Sequence, residues 1–272
     1  FHGPTLAFKD VAMQLIGQMF EAALKRRGER VTIVGATSGD TGAAAVNAFA
    51  NKARIQLIVL HPLDRVSPVQ RRQMTTVAAD NVLNLAVRGD FDDCQRLVKG
   101  LLADETLRQG RRFSSVNSIN WARLAGQIPY YVSAVAQLAA QGETRPAQFV
   151  IPTGNFGDAF AGIAARRMGL PIAGFLAAVN GNDALARAIN TGVYARSQAV
   201  ETASVSMDVQ APSNFERLVF EASGRDADLT RGLFAEFARD GTVTLPRDLL
   251  AAIRAEVSAV SVDEATTREM IA

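Results

Sequence analysis

Residues 31–45 read VTIVGATSGDTGAAA, and this stretch decides the fold. VTIVGA is a short apolar run with several β-branched residues, which is typical of a buried strand. The turn SGDTG follows it, and small residues that suit a helix come next. A strand, a polar loop and a helix in this order predict one βα unit of a parallel sheet, with the loop at the carboxyl end of the strand.

The same alternation continues along most of the chain. Apolar runs predict further strands at 55–60, 82–87, 148–152 and 172–178. Helices are predicted near 41–52, 67–79, 90–103, 120–140, 157–168, 182–191, 214–222, 229–240 and 246–258. Continuous apolar strands separated by helices imply parallel sheets that are covered on both faces. We therefore predict an α/β protein with two three-layer αβα lobes, residues 1–113 and residues 114–272.

The composition argues against several classes of protein. The 272 residues are 48% hydrophobic and 21% charged, which is ample for a large core. The net charge is +2 without a basic block, so we expect no nucleic-acid partner. No apolar run approaches the roughly 18 residues of a membrane helix, so we expect no membrane partner. A single cysteine, Cys94, suits a reducing compartment, and two histidines without other ligands predict no metal site. We expect a cytoplasmic protein.

Lys9 is a charged residue at a position where the helical pattern predicts an apolar one. Residues from Thr5, the predicted N-cap, to the stop at Gly28 form an amphipathic pattern. Its apolar stripe consists of Phe8, Val11, Ala12, Leu15, Ile16, Met19, Phe20, Ala23 and Leu24, whereas Asp10 is placed on the polar face. An inward lysine is desolvated, which lowers its pKa and suits Schiff-base chemistry. The alternative is a side chain that snorkels to water from the helix end.

Two loops stand between a predicted strand and a predicted helix. In the first, Ser38, Thr41 and the amides around Gly39 and Gly42 would suit a small carboxylate at a helix N-terminus, with Asp40 aimed at a different group. An ordinary turn with Thr41 or Asp40 as N-cap is the alternative.

The second loop is PTGNFGD, residues 152–158, in which Gly154 and Gly157 bracket Asn155 and Phe156. Glycines allow close approach of the backbone, so several amides can converge on a phosphate. A plain glycine-rich turn would explain the same pattern.

A third cluster, NSINWARLAGQ, covers residues 117–127. Asn117 and Asn120 lie at a predicted strand-to-helix junction, and Arg123 and Gln127 share one face of the helix that follows. An arginine offers a planar fork to a phosphate or carboxylate. A solvated arginine on a helix surface is the alternative.

Taken together, these stretches resemble the bacterial and fungal type of the threonine synthase family. The matching segments are HGPTLAFKD, ATSGDTGAA, HP with VSPVQ (61–70), GDFDDCQ (89–95), NSIN with Arg123 and Gln127, PTGNFGD and SMDVQAPSNFERL (206–218). They span nearly the whole chain. The resemblance implies pyridoxal 5'-phosphate as cofactor and the tryptophan-synthase-β-like fold, known as fold type II.

The resemblance also implies roles for individual residues. Lys9 would carry the cofactor as a Schiff base and then shuttle protons. The loop Gly154-Asn155-Phe156-Gly157 would cradle the cofactor phosphate, with Asp40 near the cofactor ring. The substrate carboxylate would meet Ser38 and Thr41. The substrate phosphate would meet Asn117, Asn120 and Arg123. Ser67 and Gln70 are less certain candidates for the same contact.

The implied reaction converts O-phospho-L-homoserine and water to L-threonine and phosphate, the last step of threonine biosynthesis. The lobe 1–113 would be the smaller lobe with the Schiff-base lysine, and 114–272 would be part of the larger lobe. We expect a monomer or homodimer. Segments of the family before HGPTLAFKD and after residue 272 have no counterpart in the sequence, so we expect an internal segment, incomplete at both ends and poorly active alone.

Three alternatives remain at the level of the sequence. A threonine-synthase-like phospholyase would eliminate phosphate without making threonine. A serine/threonine dehydratase or cysteine synthase would share Lys9 and the glycine loop, although those families usually carry Asn at the position of Asp40. A non-catalytic relative would have kept the fold alone, which retention of Lys9 and both loops argues against.

Overall fold

Residues 2–89 and 91–271 are described by a computed structural model, in which the chain divides between Gln127 and Ile128. Asp90, within the GDFDDCQ segment, lies outside the described residues. The division lies later than the boundary near residue 113 that we predicted. The physical reason is that strand β4 (Phe113–Ser114) pairs with strand β1 (Val31–Ala36), so the chain has not yet left the first sheet at that point.

The first unit is built on a four-stranded parallel sheet with the order β3-β2-β1-β4. Strands β2 and β3 run Ile55–Pro62 and Val82–Val87. The predicted strands at 31–36 and 82–87 are confirmed, and β2 extends two residues beyond its predicted end. Strand β4 escaped prediction because two residues are too few for a periodic signal.

The described residues of this unit form the helices α1 (Lys9–Arg27), α2 (Asp40–Phe49), α3 (Pro68–Thr75), α4 (Phe91–Ala103), α5 (Glu105–Arg108) and α6 (Trp121–Ala125). Successive residues of β1 face opposite sides of the sheet. Ile33 belongs to the core cluster with residues of α1 and α2, whereas Val34 packs in a second cluster with Cys94 of α4. The sheet is therefore covered on both faces, which confirms the three-layer prediction for this unit.

Helix α1 begins at Lys9 and not at the predicted Thr5. The cause is Asp10, which we placed on the polar face but which is 1% exposed. Its carboxylate accepts hydrogen bonds from the backbone N–H of Gly3, Thr5 and Ala7 and from the Thr5 hydroxyl. Residues 3–7 therefore form a loop around this carboxylate. The C-terminal end is as predicted, since Gly28 adopts a left-handed conformation there.

The buried face of α1 also differs from the predicted stripe. Ala12, Met13 and Ile16 are completely buried, whereas Leu15 and Met19 are exposed. Gly17 sits on this buried side, where the backbone of α2 approaches so closely that a Cβ would lie 2.8 Å from the carbonyl oxygen of Ala48. The close approach of two helices sets the buried face, and side-chain hydropathy alone does not reveal it.

The second unit begins with α7 (Ile128–Ala140), which continues after α6 and a short break. The single helix predicted near 120–140 is therefore two helices. Pro129 has no N–H to offer Ala125, so a continuous helix would lose a bond there. Gly126 lies between the two helices, where a Cβ would be only 2.9 Å from the Cα of Ala12.

The other predicted strands and helices of the second unit are present, and the described residues form three short strands and a last helix in addition to them. Its strands are β5 (Ala147–Pro152), β6 (Ile172–Val179), β7 (Val193–Ala195), β8 (Thr242–Thr244) and β9 (Ser258–Ser261). Its further helices are α8 (Gly157–Arg167), α9 (Ala184–Thr191), α10 (Phe215–Ala222), α11 (Ala227–Asp240), α12 (Arg247–Glu256) and α13 (Glu264–Ile271). Strands β5, β6 and β9 form a parallel sheet, and β7 and β8 pair antiparallel. The α/β class with mostly parallel sheets is confirmed.

Over residues 2–89 and 91–271, the helices are all too short or too polar to cross a membrane.

Candidate active site

Lys9, the first residue of α1, meets a carboxylate from the first turn of α2. Its Nζ atom lies 3.2 Å from Oδ2 of Asp40, and the two side chains are 12% and 28% exposed. Burial lowers the pKa of Lys9 from its usual value, and the positive charge of Arg123 lowers that pKa further, while Asp40 acts in the opposite direction. A desolvated lysine beside one carboxylate can hold or release a proton with small changes around it.

Two backbone N–H groups of the first loop are hydrogen-bonded within the loop itself. The hydroxyl oxygen of Thr37, which is 2% exposed, accepts hydrogen bonds from the N–H groups of Gly39 and Gly42 at 2.9 and 2.8 Å. The prediction that these two amides surround an anion is therefore wrong, because both already bond to Thr37. Ser38 and Thr41 are half-buried, and their hydroxyl groups stay predicted contacts of a substrate carboxylate.

The residues of the third cluster lie in different environments. Asn117 is exposed and lines a small cavity together with Thr37 and Thr41. Asn120 is the N-cap of α6, because its Oδ1 accepts from the N–H of Ala122 at 2.9 Å and its Nδ2 donates to the carbonyl of Ser115 at 3.3 Å.

Arg123 is 4% exposed, and its Nη1 donates to the carbonyl of Val116 at 3.1 Å. Gln127 is also 4% exposed, as expected for two residues on one face. Arg123 is therefore a buried cation in the surroundings of Lys9, not an arginine on a solvated surface.

In the second unit, the glycine loop joins β5 to α8. Phe156 is completely buried and has the left-handed φ of 61°, and its N–H donates to the Thr153 hydroxyl at 3.2 Å. The first N–H groups of a helix have no partner within the helix, so those that begin at Gly157 can bind an anion. The geometry fits the predicted phosphate cradle, with the Phe156 amide turned to Thr153.

The glycine loop is braced by residues 206–214, the segment SMDVQAPSN. A Cβ at Gly154 would lie 2.8 Å from the carbonyl oxygen of Ser206 and 2.9 Å from the Cα of Met207, so only glycine fits. Oδ1 of Asn155 accepts from the Ser213 hydroxyl at 3.1 Å, and its carbonyl accepts from the backbone N–H and the side chain of Asn214.

The bracing segment is itself held by a partly buried polar network. Oδ1 of Asp208 accepts from Asn180 at 2.8 Å, from Asn182 at 3.1 Å and from the Thr202 hydroxyl at 2.7 Å. A carboxylate with several donors fixes the path of its backbone. Only Asp208 lies in a segment that the sequence motifs mark, because the network joins it to residues 6 to 28 positions away.

Asp158, in the first turn of α8, is the titratable group next to the glycine loop. Burial raises the pKa of its carboxyl from 3.8 to about 6, against the effect of a hydrogen bond from Tyr131. The Tyr131 hydroxyl lies 2.9 Å from the carbonyl oxygen and 3.2 Å from Oδ2 of Asp158. The carboxyl is therefore partly protonated near pH 6.

In the part of the chain that the structure describes, no group of three His, Cys, Asp or Glu side chains is arranged to hold a metal ion.

Residues 1–270 match the family of pyridoxal-phosphate dependent enzymes. The chain belongs to this family. The threonine synthase of Pseudomonas aeruginosa is 45% identical over 272 residues, which cover 100% of this chain and 58% of that protein. The resemblance drawn from the motifs is thus confirmed.

Two solved structures of pyridoxal-phosphate dependent enzymes share the fold closely. The PLP-bound threonine synthase from Brucella melitensis is 50% identical, with a TM-score of 0.92 over 98% of this chain and 57% of that one. The yeast threonine synthase is 37% identical, with a TM-score of 0.93 over 100% of this chain and 56% of that one. The chain spans slightly more than half the length of these relatives.

The residues present fit the cofactor of this family. A lysine with a lowered pKa suits condensation with an aldehyde, because only the neutral amine attacks a carbonyl. Gly154 has no side chain at a point of the second loop where a Cβ would not fit, and the first N–H groups of α8 can bind a phosphate.

Proposed function

We propose that the protein is a threonine synthase, which converts O-phospho-L-homoserine and water to L-threonine and phosphate. The observation that carries the proposal is the partly buried Lys9–Asp40 pair, with 3.2 Å between Nζ and Oδ2. The 45% identity to a threonine synthase over the whole chain supports this substrate over those of other members of the family.

Pyridoxal phosphate, when bound, supplies an electron sink for chemistry at the carbon atoms of the amino acid. Lys9 would hold its aldehyde carbon and Asp40 would lie near its ring. The loop from Gly154 through Asn155 and Phe156 to Gly157 would hold its phosphate by backbone N–H groups and the helix dipole.

After the substrate arrives, the amine of Lys9 would carry protons to and from Cα and Cβ of the amino acid. Burial and Arg123 favour its neutral form, and Asp40 can stabilise the ammonium form between transfers. Beside Asp40, the amine of Lys9 would therefore be able to accept and return a proton repeatedly.

The other predicted residues would hold the substrate. Ser38 and Thr41 would meet its carboxylate, and Asn117 and Arg123 its phosphate. Asn120 would act by fixing the start of α6, because both ends of its amide already serve the backbone.

The first unit would be the smaller lobe with the catalytic lysine, and the second would belong to the larger lobe. We propose a cytoplasmic monomer or homodimer that acts on a small molecule.

The test is product analysis with the full natural chain, pyridoxal phosphate and O-phospho-L-homoserine. We expect threonine and phosphate in equal amounts, and no visible cofactor band in the Lys9→Ala variant. A 2-oxo acid instead of threonine would indicate a phospholyase, and turnover of serine or threonine would indicate a dehydratase. Without any turnover or visible band, the chain would be a non-catalytic relative.

A further inference from the structure

Gln70 contacts the one carboxylate oxygen of Asp40 that Lys9 does not use. Its Nε2 donates to Oδ1 of Asp40, while Oδ2 of Asp40 lies 3.2 Å from Nζ of Lys9. The three side chains form a row within the first unit, from α3 through α2 to α1. A side chain in this place acts on Lys9 only through the carboxylate between them.

The orientation of the Gln70 amide is fixed by Ser67. Ser67 is the N-cap of α3, and its hydroxyl oxygen accepts from the backbone N–H of Gln70 at 3.2 Å. The proton of the same hydroxyl can then reach Oε1 of Gln70, 3.0 Å away. Because Oε1 faces this donor, the amide nitrogen must face Asp40.

Gly39 makes room for this arrangement. It has a φ of 143°, and a Cβ on it would overlap the carboxamide of Gln70. The residue directly before Asp40 is therefore shaped to admit Gln70.

The helix adds to the effect. Asp40 is the first residue of the ten-residue helix α2, where the helix dipole favours a negative charge. A charge-assisted bond from Gln70 favours the ionised carboxylate as well.

We propose that Gln70 is a positioning residue, which holds the carboxylate of Asp40 in the orientation that contacts the amine of Lys9. The inference deepens the proposed function, since it says how the protein controls the proton on its catalytic lysine. Gln70 and Ser67 thereby have a role other than the substrate-phosphate contacts that the resemblance suggested.

The test is a double-mutant cycle in the full natural chain without cofactor. Acetylation of Lys9 is followed against pH by peptide mass spectrometry, and its midpoint reports the protonation of Nζ. Gln70→Met should lower the midpoint by about half a pH unit, less than removal of the Asp40 charge would, because the carboxylate keeps its charge but loses the orientation that faces Nζ of Lys9. Gln137→Met is the control, because this exposed glutamine on α7 donates to Ser133.

The decisive arm is Gln70→Met combined with Asp40→Asn. If Gln70 acts through Asp40, it has no further effect once that carboxylate is neutral. A midpoint unchanged by Gln70→Met, or a shift that persists in the Asp40→Asn background, would overturn the inference. The readout needs neither cofactor nor turnover, so failure of the proposed enzyme activity would be seen separately.

With the cofactor bound, the visible band gives a second readout. Its titration against pH should move in the same direction in Gln70→Met and stay unchanged in Gln137→Met. A band that titrates identically in all three proteins would also contradict the positioning role.

Discussion

Oδ2 of Asp40 lies 3.2 Å from Nζ of Lys9, although 31 residues separate the two in sequence. Each is the first residue of its helix, and so each is held at a helix end. The contact places a carboxylate against a lysine that burial would otherwise drive towards its neutral form.

Neutralising Asp40 should lower the pKa of Lys9 further. Asp40→Asn removes the charge that opposes desolvation, so we expect the midpoint of Lys9 acetylation to fall by about one pH unit. The matched control is Glu21→Gln, which removes a carboxylate paired with Lys52. A midpoint that rises or stays in place in Asp40→Asn would show that the ion pair does not govern Lys9.

Asp10 should matter for stability more than an ordinary surface carboxylate. Asp10→Asn would replace the ionised acceptor of three N–H groups by a neutral carbonyl oxygen, so we expect a loss of about 2 kcal/mol in the free energy of unfolding, measured by urea denaturation. Asp104→Asn is the control, because Asp104 caps α5 in an exposed position and asparagine caps equally well. Equal losses in both variants would contradict the special role of the loop at 3–7.

Gly154 should be intolerant of any side chain. Gly154→Ala would force the loop away from Ser206 and Met207, and we expect cofactor affinity to fall at least tenfold, about 1.4 kcal/mol, in an absorbance titration. Gly174→Ala on β6 is the control, because a Cβ there meets nothing within 4 Å. Affinity that survives in Gly154→Ala would remove the loop from the cofactor site.

The raised pKa of Asp158 predicts a pH-dependent cost. The carboxyl ionises near pH 4 in the unfolded chain and at about 6 in the folded one, so folding stability falls as pH rises through this interval. Asp158→Asn should therefore stabilise the protein above pH 6 by up to about 3 kcal/mol, and the gain should vanish below pH 4.

Thermal unfolding from pH 4 to pH 8 measures the effect at Asp158. Asp228→Asn, at a highly exposed carboxylate, is the matched control for the same change of residue. A gain that does not depend on pH would mean that packing, not ionisation, explains the Asp158 variant.

Alanine substitutions at Asn117 and Asn120 should have different effects on stability and on the KM. Asn120→Ala removes the cap of α6 and should cost about 1 kcal/mol of stability. Asn117→Ala, at an exposed position, should leave stability unchanged and raise the KM for O-phospho-L-homoserine. Urea denaturation and steady-state kinetics on both variants check this, and the reverse pattern would exchange the two roles.

The sequence predicts the sheets well because their strands are strongly apolar and bounded by polar residues. Strands β1 and β3 have their predicted limits, and Gly28 ends α1 as expected. Strand β9, Ser258–Ser261, carries too little apolar character to be recognised and gains its partner only through β6.

The site is harder to predict, because its hydrogen bonds join distant or folded-back residues. The helical pattern places Asp10 on the polar face, and only the structure shows that the chain before Lys9 folds over its carboxylate. Thr37 lies between a predicted strand and a loop. Nothing in the sequence pattern shows that its hydroxyl oxygen accepts hydrogen bonds from two glycine N–H groups. Lys9 and Asp40, by contrast, stand out from charge placement and motif alone.

The brace on the glycine loop has a consequence for the order of folding. Asn155 and Ser213 are 58 residues apart, so during synthesis the loop leaves the ribosome well before its support exists. Contacts of such separation form late, since the intervening chain must first be closed into a loop. Ribosome-bound chains that end before residue 206 should therefore carry a glycine loop open to proteolysis, and phosphate binding should mature only as the second unit is completed.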